Sequence, residues 1–143
     1  MKIAFACDHG GLQLKNHIIE FVKKMGHEVL DYGCYTEESC DYPVFGKKAC
    51  KAVASGEADR GIVICSTGIG MSIVANKVKG VRCALLTDEN SARLTREHNN
   101  TNCMAMGQKN VSFDLAERIV RVWLETEFSN AERHIRRINM IEE

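Results

Sequence analysis

Strand-like and helix-like segments alternate along all 143 residues of the chain. Each short apolar run, typical of a buried strand, is followed by a longer stretch in which apolar residues recur at helical spacing. The strand-like runs are residues 2–7, 28–33, 59–65, 81–86 and 102–107. Strands separated by helices pair in parallel and are covered on both faces. The sequence therefore predicts a single domain over residues 1–143, a three-layer αβα sandwich around a five-stranded, Rossmann-like parallel sheet.

Capping signals indicate where several of the helices begin and end. Pro43 suits the first turn of a helix, Gly26 and Gly56 suit the residue that follows a helix, and Ser112 suits an N-cap. The predicted helices are residues 12–25, 41–55, the segment after the Gly68–Gly70 loop to about Lys79, 88–98, 112–128 and a terminal helix over 130–143.

Charge and cysteine content narrow the classes of function. Nineteen basic and nineteen acidic side chains cancel, which gives no support to nucleic acid or a membrane as the main partner. The segment MKIAFACDHGG is interpreted as a first strand and not as a signal peptide, so a cytoplasmic location is expected. Seven cysteines without a C-x-x-C motif indicate reduced thiols, and five scattered histidines predict no metal site.

Ligands of doubly wound folds bind at the carboxyl ends of the strands, which directs attention to the following loops. The first loop, CDHGG, places Asp8 and His9 where a substrate would lie. The alternative is that Asp8 only caps the first helix.

The loop after the third strand, CSTGIGMS, resembles three phosphate-binding motifs and matches none of them. Ile73 stands where a dinucleotide loop has its third glycine, no Gly-Lys-[Ser/Thr] occurs, and Met71 stands where a cysteine phosphatase has arginine. What remains is a set of backbone N–H groups, from Ser66 to Gly70, that can hold an anion at a helix N-terminus, with Thr67 as an added donor. The same groups would stabilise a thiolate at Cys65, which is otherwise an inert core residue.

Two further segments carry candidate polar groups. In REHNNTN, His98 and Asn99 either cap a helix or present an imidazole and an amide to the cleft. In RHIRR, Arg133 and Arg137 share one helical face and either bind a phosphate or form a solvated basic surface. Lys109, after the fifth strand, adds a positive charge.

Together, the motifs CDHGG, DYP, GIVICSTGIGMSIVANK, EHNNTN and RHIRR resemble the ribose-5-phosphate isomerase B / galactose-6-phosphate isomerase family of sugar-phosphate isomerases. The resemblance covers essentially the whole chain. It implies interconversion of D-ribose 5-phosphate and D-ribulose 5-phosphate, in the non-oxidative pentose phosphate pathway, through an enediolate and without a cofactor. It also implies a homodimer, or a dimer of dimers, with the site at the interface and the C-terminal helix contributing to the dimer.

The resemblance also assigns a role to each candidate residue. Cys65 resembles the base that moves the proton between C1 and C2. His98, assisted by Asp8, resembles the group that opens the furanose ring. The remaining positions resemble the anion hole (Ser66, Thr67, Gly68, Ile69 and Gly70), other substrate contacts (Tyr42 and Asn99) and the phosphate clamp (His9, Arg133 and Arg137).

The chain departs from the family pattern at two positions. Ser66 replaces a common glycine, and Lys109 replaces a common arginine, so the grip on the phosphate or the preferred sugar can differ. Isomerases of galactose 6-phosphate, allose 6-phosphate or free rare sugars stay open as alternatives, as does a non-catalytic sensor that binds a nucleotide or a sugar phosphate.

Overall fold

Five parallel strands form one sheet in the computed structural model, which describes residues 1–143. The strands are β1 (Lys2–Cys7), β2 (Glu28–Asp31), β3 (Arg60–Cys65), β4 (Cys83–Leu85) and β5 (Cys103–Gly107). Their order is β2-β1-β3-β5-β4, so the connections that follow β1 and β3 leave in opposite directions. The carboxyl ends of β1 and β3 therefore flank the crevice in which this kind of sheet binds ligands.

Six α-helices cover the two faces of the sheet. They are α1 (Leu12–Lys24), α2 (Tyr42–Ser55), α3 (Ile69–Asn76), α4 (Glu89–Asn99), α5 (Phe113–Glu125) and α6 (Glu132–Glu142), and a short 3₁₀ turn, His9–Gly11, precedes α1. The predicted architecture, a five-stranded parallel αβα sandwich, is confirmed.

Side-chain size differs between the two faces of the sheet. Large residues such as Phe5, Ile62 and Met104 point toward α1, α4 and α5 and form the larger core cluster. Small residues such as Ala4 and Ala105 point toward α2 and α3. Because strand side chains alternate between faces, one run of sequence supplies both cores.

Several predicted element ends are confirmed. The Ser112 side chain accepts a hydrogen bond from the Leu115 N–H and caps α5, Pro43 lies in the first turn of α2, and Gly56 ends that helix at φ 84°. The edge strands are shorter than predicted, because β2 and β4 each pair with one neighbour and over only four and three residues. None of the helices combines the length and apolar character needed to cross a bilayer.

Candidate active site

Cys65 ends the central strand β3, and its thiol lies at the start of the glycine loop. The residue is 5% exposed, and its Sγ accepts a hydrogen bond of 3.1 Å from the backbone N–H of Gly68. An N–H donor and the positive end of a helix both stabilise negative charge on sulfur. The Gly68 N–H therefore fixes the sulfur at the mouth of the loop, beside the start of α3.

Backbone N–H groups gather beside the thiol where α3 begins. The amides of Ser66, Thr67 and Gly70 donate to no acceptor within the chain, and the Thr67 hydroxyl accepts from Ile69 N–H at 3.3 Å. Unpaired amides at a helix N-terminus bind oxyanions. Three of the five amides predicted for the anion hole are therefore free, whereas those of Gly68 and Ile69 donate to Cys65 Sγ and Thr67 Oγ1.

Close packing constrains three glycine positions around this loop, two of them against backbone and one against an aromatic ring. A Cβ on Gly68, which lies at φ 79°, would stand 2.7 Å from the carbonyl carbon of Met106. A Cβ on Gly107 would overlap the backbone of Thr67. A Cβ on Gly70 would stand 2.8 Å from the Tyr42 ring, so Tyr42 covers the start of α3.

We expect Gly68→Ala to distort the anion hole. The left-handed φ and the overlap with Met106 should cost about 2 kcal/mol or more of stability, since a non-glycine residue in this region costs about 1–3 kcal/mol before any clash. Thermal unfolding measures the loss of stability, and assays of the isomerase activity that the resemblance implies measure the loss of function. Gly26→Ala is the matched control, because Gly26 has φ 94° and no atom near its Cβ position. Equal losses of activity in the two variants would contradict the prediction.

The turn after β5 holds the Cys65 loop in place. Backbone N–H groups of Gln108 and Lys109 donate to the carbonyls of Cys65 and Ser66, at 3.0 and 2.9 Å. The Asn110 side-chain amide donates to the Thr67 carbonyl at 3.1 Å. The Lys109 side chain is exposed and without an acidic partner. Gln108 and Asn110 were missed in the sequence, where only their position after β5 pointed to the site.

The loop after β1 forms the other wall. The Asp8 carboxylate accepts from Gly10 N–H at 2.9 Å and so caps the 3₁₀ turn that precedes α1, not α1 itself. The Ser66 hydroxyl lies against Gly10, which brings the β1 and β3 loops together. Cys40 N–H donates to His9 Nδ1 at 3.3 Å, which leaves the Nε2–H of a neutral ring to face outward. His9 thereby presents an N–H donor at the carboxyl ends of the strands.

His98 and Asn99 lie at the opposite end of the strands, beside their amino ends. They end α4, which starts after the carboxyl end of β4 and runs back to the amino end of β5. The Asn99 carbonyl accepts a hydrogen bond of 3.0 Å from Arg82, the residue that precedes β4. An eleven-residue helix is about 16 Å long, so the cleft that holds Cys65 is out of reach of His98 in the same chain. His98 and Asn99 therefore do not enter this cleft within one chain, and their place in a site shared between two copies stays a prediction.

Arg133 and Arg137 lie on the same side of the molecule as His98 and Asn99. Both are exposed on α6, four residues apart, and neither forms an ion pair. His134 lies between them in the sequence. The centroid of its ring is 4.5 Å from that of the His98 ring. His134 was not identified in the sequence, where the RHIRR motif emphasises the arginines. The candidate residues therefore form two groups. The Cys65 group lies at the carboxyl ends of the strands and also contains Asp8, His9, Tyr42, residues 66–70 and Lys109. The His98 group lies at the amino ends and also contains Asn99, Arg133 and Arg137.

The other cysteines differ from Cys65 in their surroundings. Burial raises the pKa of the Cys7 thiol, whose Sγ lies 3.8 Å from that of Cys34. The hydrogen bond with Cys103, followed by burial, raises the pKa of Cys50. These thiols stay protonated near neutral pH and act as core residues, and all seven cysteines are free.

This arrangement defines an α/β protein with a thiol and a loop of unpaired amides at the carboxyl ends of its strands, where folds of this class bind ligands. The Ribose/Galactose Isomerase family model matches residues 3–141. The chain is 44% identical to ribose-5-phosphate isomerase B of Escherichia coli, over 98% of this chain and 93% of that protein. It is 42% identical to a galactose-6-phosphate isomerase subunit of Clostridium acetobutylicum, over 100% of this chain and 83% of that protein.

A solved ribose-5-phosphate isomerase B structure from Clostridium thermocellum superposes with a TM-score of 0.97 at 52% identity. It covers 99% of this chain and 95% of that one. The chain belongs to the ribose/galactose isomerase family of sugar-phosphate isomerases.

Proposed function

We propose that this chain interconverts D-ribose 5-phosphate and D-ribulose 5-phosphate through a cis-enediolate, with Cys65 as the base. The observation that carries the proposal is the thiol of Cys65 beside the unpaired amides of Ser66, Thr67 and Gly70. Ribose-5-phosphate isomerase B relatives from several organisms support this substrate.

The reaction removes a proton α to a carbonyl and returns it one carbon away. A thiolate about 3–3.5 Å from both carbons can perform both transfers from one face of the sugar. The enediolate oxygens become negative, and fixed N–H donors stabilise that charge; loss of one donor typically costs about 10²–10³ in rate. The free amides of Ser66, Thr67 and Gly70 provide these donors, and Gly68 and Ile69 complete the loop that holds them in place.

The complete site requires a second copy of the chain. The Cys65 group and the His98 group lie at opposite edges of one sheet, and both are open to the surface. Apolar side chains are exposed on the same molecule, on α3 (Ile69 and Ile73), on β4 (Leu85) and on α6 (Ile135, Met140 and Ile141). A homodimer that buries such residues would bring the His98 group of one copy to the Cys65 of the other.

Each group has a role in this composite site. His98, assisted by Asp8 of the other copy, opens the furanose ring by moving a proton from the anomeric hydroxyl to the ring oxygen. Asn99 and Tyr42 contact sugar hydroxyls. His9, Lys109, Arg133 and Arg137 surround the phosphate, which lies away from the reacting carbons and so positions them. Residues 1–143 act as one isomerase domain, and the free thiols support a reducing, cytoplasmic setting.

Replacement of Arg137 by alanine should mainly raise KM for phosphorylated sugars, by about tenfold or more. Charged hydrogen bonds of this kind contribute about 1.5–3 kcal/mol. Steady-state kinetics with ribose 5-phosphate measure the change. Arg136→Ala, an exposed neighbour on α6, is the matched control. Unchanged kinetics in Arg137→Ala would assign this residue to a solvated basic surface.

Assays of the purified chain with ribose, allose and galactose phosphates and with free sugars test the proposal as a whole. We expect the highest kcat/KM with ribose 5-phosphate and no turnover by Cys65→Ser. The 42% identity to a galactose-6-phosphate isomerase subunit makes that sugar the second candidate. Preference for it would replace ribose 5-phosphate as the substrate, and no turnover of any sugar would favour a sensor.

A further inference from the structure

His134 is a buried histidine to which the proposed reaction assigns no role. It is 6% exposed, although both arginines that flank it on α6 are exposed. Its ring lies against the ring of His98, with a centroid separation of 4.5 Å and an interplanar angle of 40°. The Phe128 ring lies 6.5 Å away from His134. His134 is therefore enclosed beside the one imidazole that is expected to open the sugar ring.

Ser129 links this histidine to the end of α4. The Ser129 backbone N–H donates to the Glu97 carbonyl at 3.2 Å, and its hydroxyl oxygen accepts from Ala131 N–H at 3.2 Å. The same hydroxyl lies 2.7 Å from His134 Nδ1. The Ala131 N–H occupies one lone pair of the hydroxyl oxygen, and the hydroxyl hydrogen can point at Nδ1. In that arrangement Nδ1 accepts, and the proton of a neutral His134 resides on Nε2.

The charges around His134 favour a neutral ring. Burial lowers the pKa of His134 below the usual histidine value. The positive charges of Arg133 and Arg137, together with the His98 ring, lower it further, and Glu97 opposes them. A neutral ring can pack on His98 without repelling the positive charge that His98 acquires during proton transfer.

We propose that His134, held by Ser129, is a positioning residue that orients the imidazole of His98 for ring opening. This inference rests on the proposed function, and it assigns to α6 a second task besides presenting two arginines. His98 itself is exposed at a helix end and has no hydrogen-bond partner in the chain, so packing against His134 is its main restraint. A displacement of about 1 Å of a reacting group can cost about 10²-fold in rate.

Two sugars separate ring opening from proton transfer between carbons. Ribose 5-phosphate closes to a furanose through O4, whereas ribulose 5-phosphate cannot, because its O5 carries the phosphate. We expect His134→Ala to lower kcat for the aldose by about tenfold or more, and kcat for the ketose by less than about threefold. His134→Phe keeps a ring against His98 and should recover part of the aldose rate, and Ser129→Ala should give an intermediate loss.

His17→Ala is the matched control, because His17 is also a paired histidine, bonded to Glu117 at 2.7 Å on another face. It should lower neither kcat. Equal losses for aldose and ketose in His134→Ala, or no loss, would overturn the inference.

A measurement that does not depend on enzyme activity tests the inference separately from the proposed function. In ¹⁵N-labelled wild-type protein at pH 7, two-bond ¹H–¹⁵N spectra should show His134 neutral with Nδ1 unprotonated, and Ser129→Ala should shift the His98 signals. A doubly protonated His134, or unmoved His98 signals, would overturn the positioning role even if isomerisation is confirmed. Wild-type protein without isomerase activity, but with these spectra, would refute the proposed function and leave the packing of His98 established.

Discussion

Cys65→Ala is expected to lower kcat for both sugar phosphates by at least about 10³-fold, while the protein stays folded. Alanine cannot take the proton from C1 or C2, and general-base catalysis alone contributes about 10²–10⁴ in rate. The structural cost should be small, because the side chain becomes smaller by one sulfur and only one hydrogen bond, from Gly68 N–H, is lost. Such a bond contributes about 1 kcal/mol to stability.

Steady-state kinetics and thermal unfolding of the same preparation measure the two effects. Cys50→Ala is the matched control, since Cys50 is a buried thiol that hydrogen-bonds Cys103 in the core, away from the carboxyl edge. It should lose stability and keep its kcat. A near-normal kcat in Cys65→Ala would eliminate the thiol as the base.

Mixing two inactive variants should restore activity if the site is shared between copies. Cys65→Ala and His98→Asn damage groups at opposite edges of the sheet. In a mixed dimer one site carries both defects and the other carries neither. After subunit exchange of an equal mixture, half of the dimers are mixed, so about a quarter of the wild-type activity on ribose 5-phosphate is expected.

A second mixture provides the control. Cys65→Ala with Thr67→Ala combines two defects in the same half-site, because both residues belong to the loop after β3. Each site of that mixed dimer carries one defect, and no recovery is expected. Absence of recovery with the first pair, in a preparation shown by native mass spectrometry to contain mixed dimers, would contradict the shared site.

Much of the fold could be predicted because its signals are local. Alternation of apolar runs with helical spacing identified five strands and their helices, and Ser112, Pro43 and Gly56 marked helix ends that the structure confirms. The edge strands were overestimated, because the length of β2 and β4 depends on the single neighbour with which each pairs. That neighbour is distant in sequence and leaves no local signal.

The part of the candidate site around Cys65 could be predicted from the sequence for the same reason. Cys65, Thr67 and the loop glycines are contiguous, and the rule that ligands bind at strand ends identified this loop. Asn110 was missed, because its hydrogen bond to the Thr67 carbonyl spans 43 residues. His134 was missed because a histidine between two arginines looks like part of a charged surface, and only the packing of α6 on α4 buries it.

The sequence by itself determined the layered α/β architecture, the candidate loop after β3 and the pair of arginines on one face of α6, since each depends on the periodicity or spacing of neighbouring residues. Only the tertiary structure decided that His98 and the arginines lie at the edge of the sheet opposite Cys65. The physical reason is the direction of α4, which carries the chain from the carboxyl edge back to the amino edge before β5 can pair in parallel.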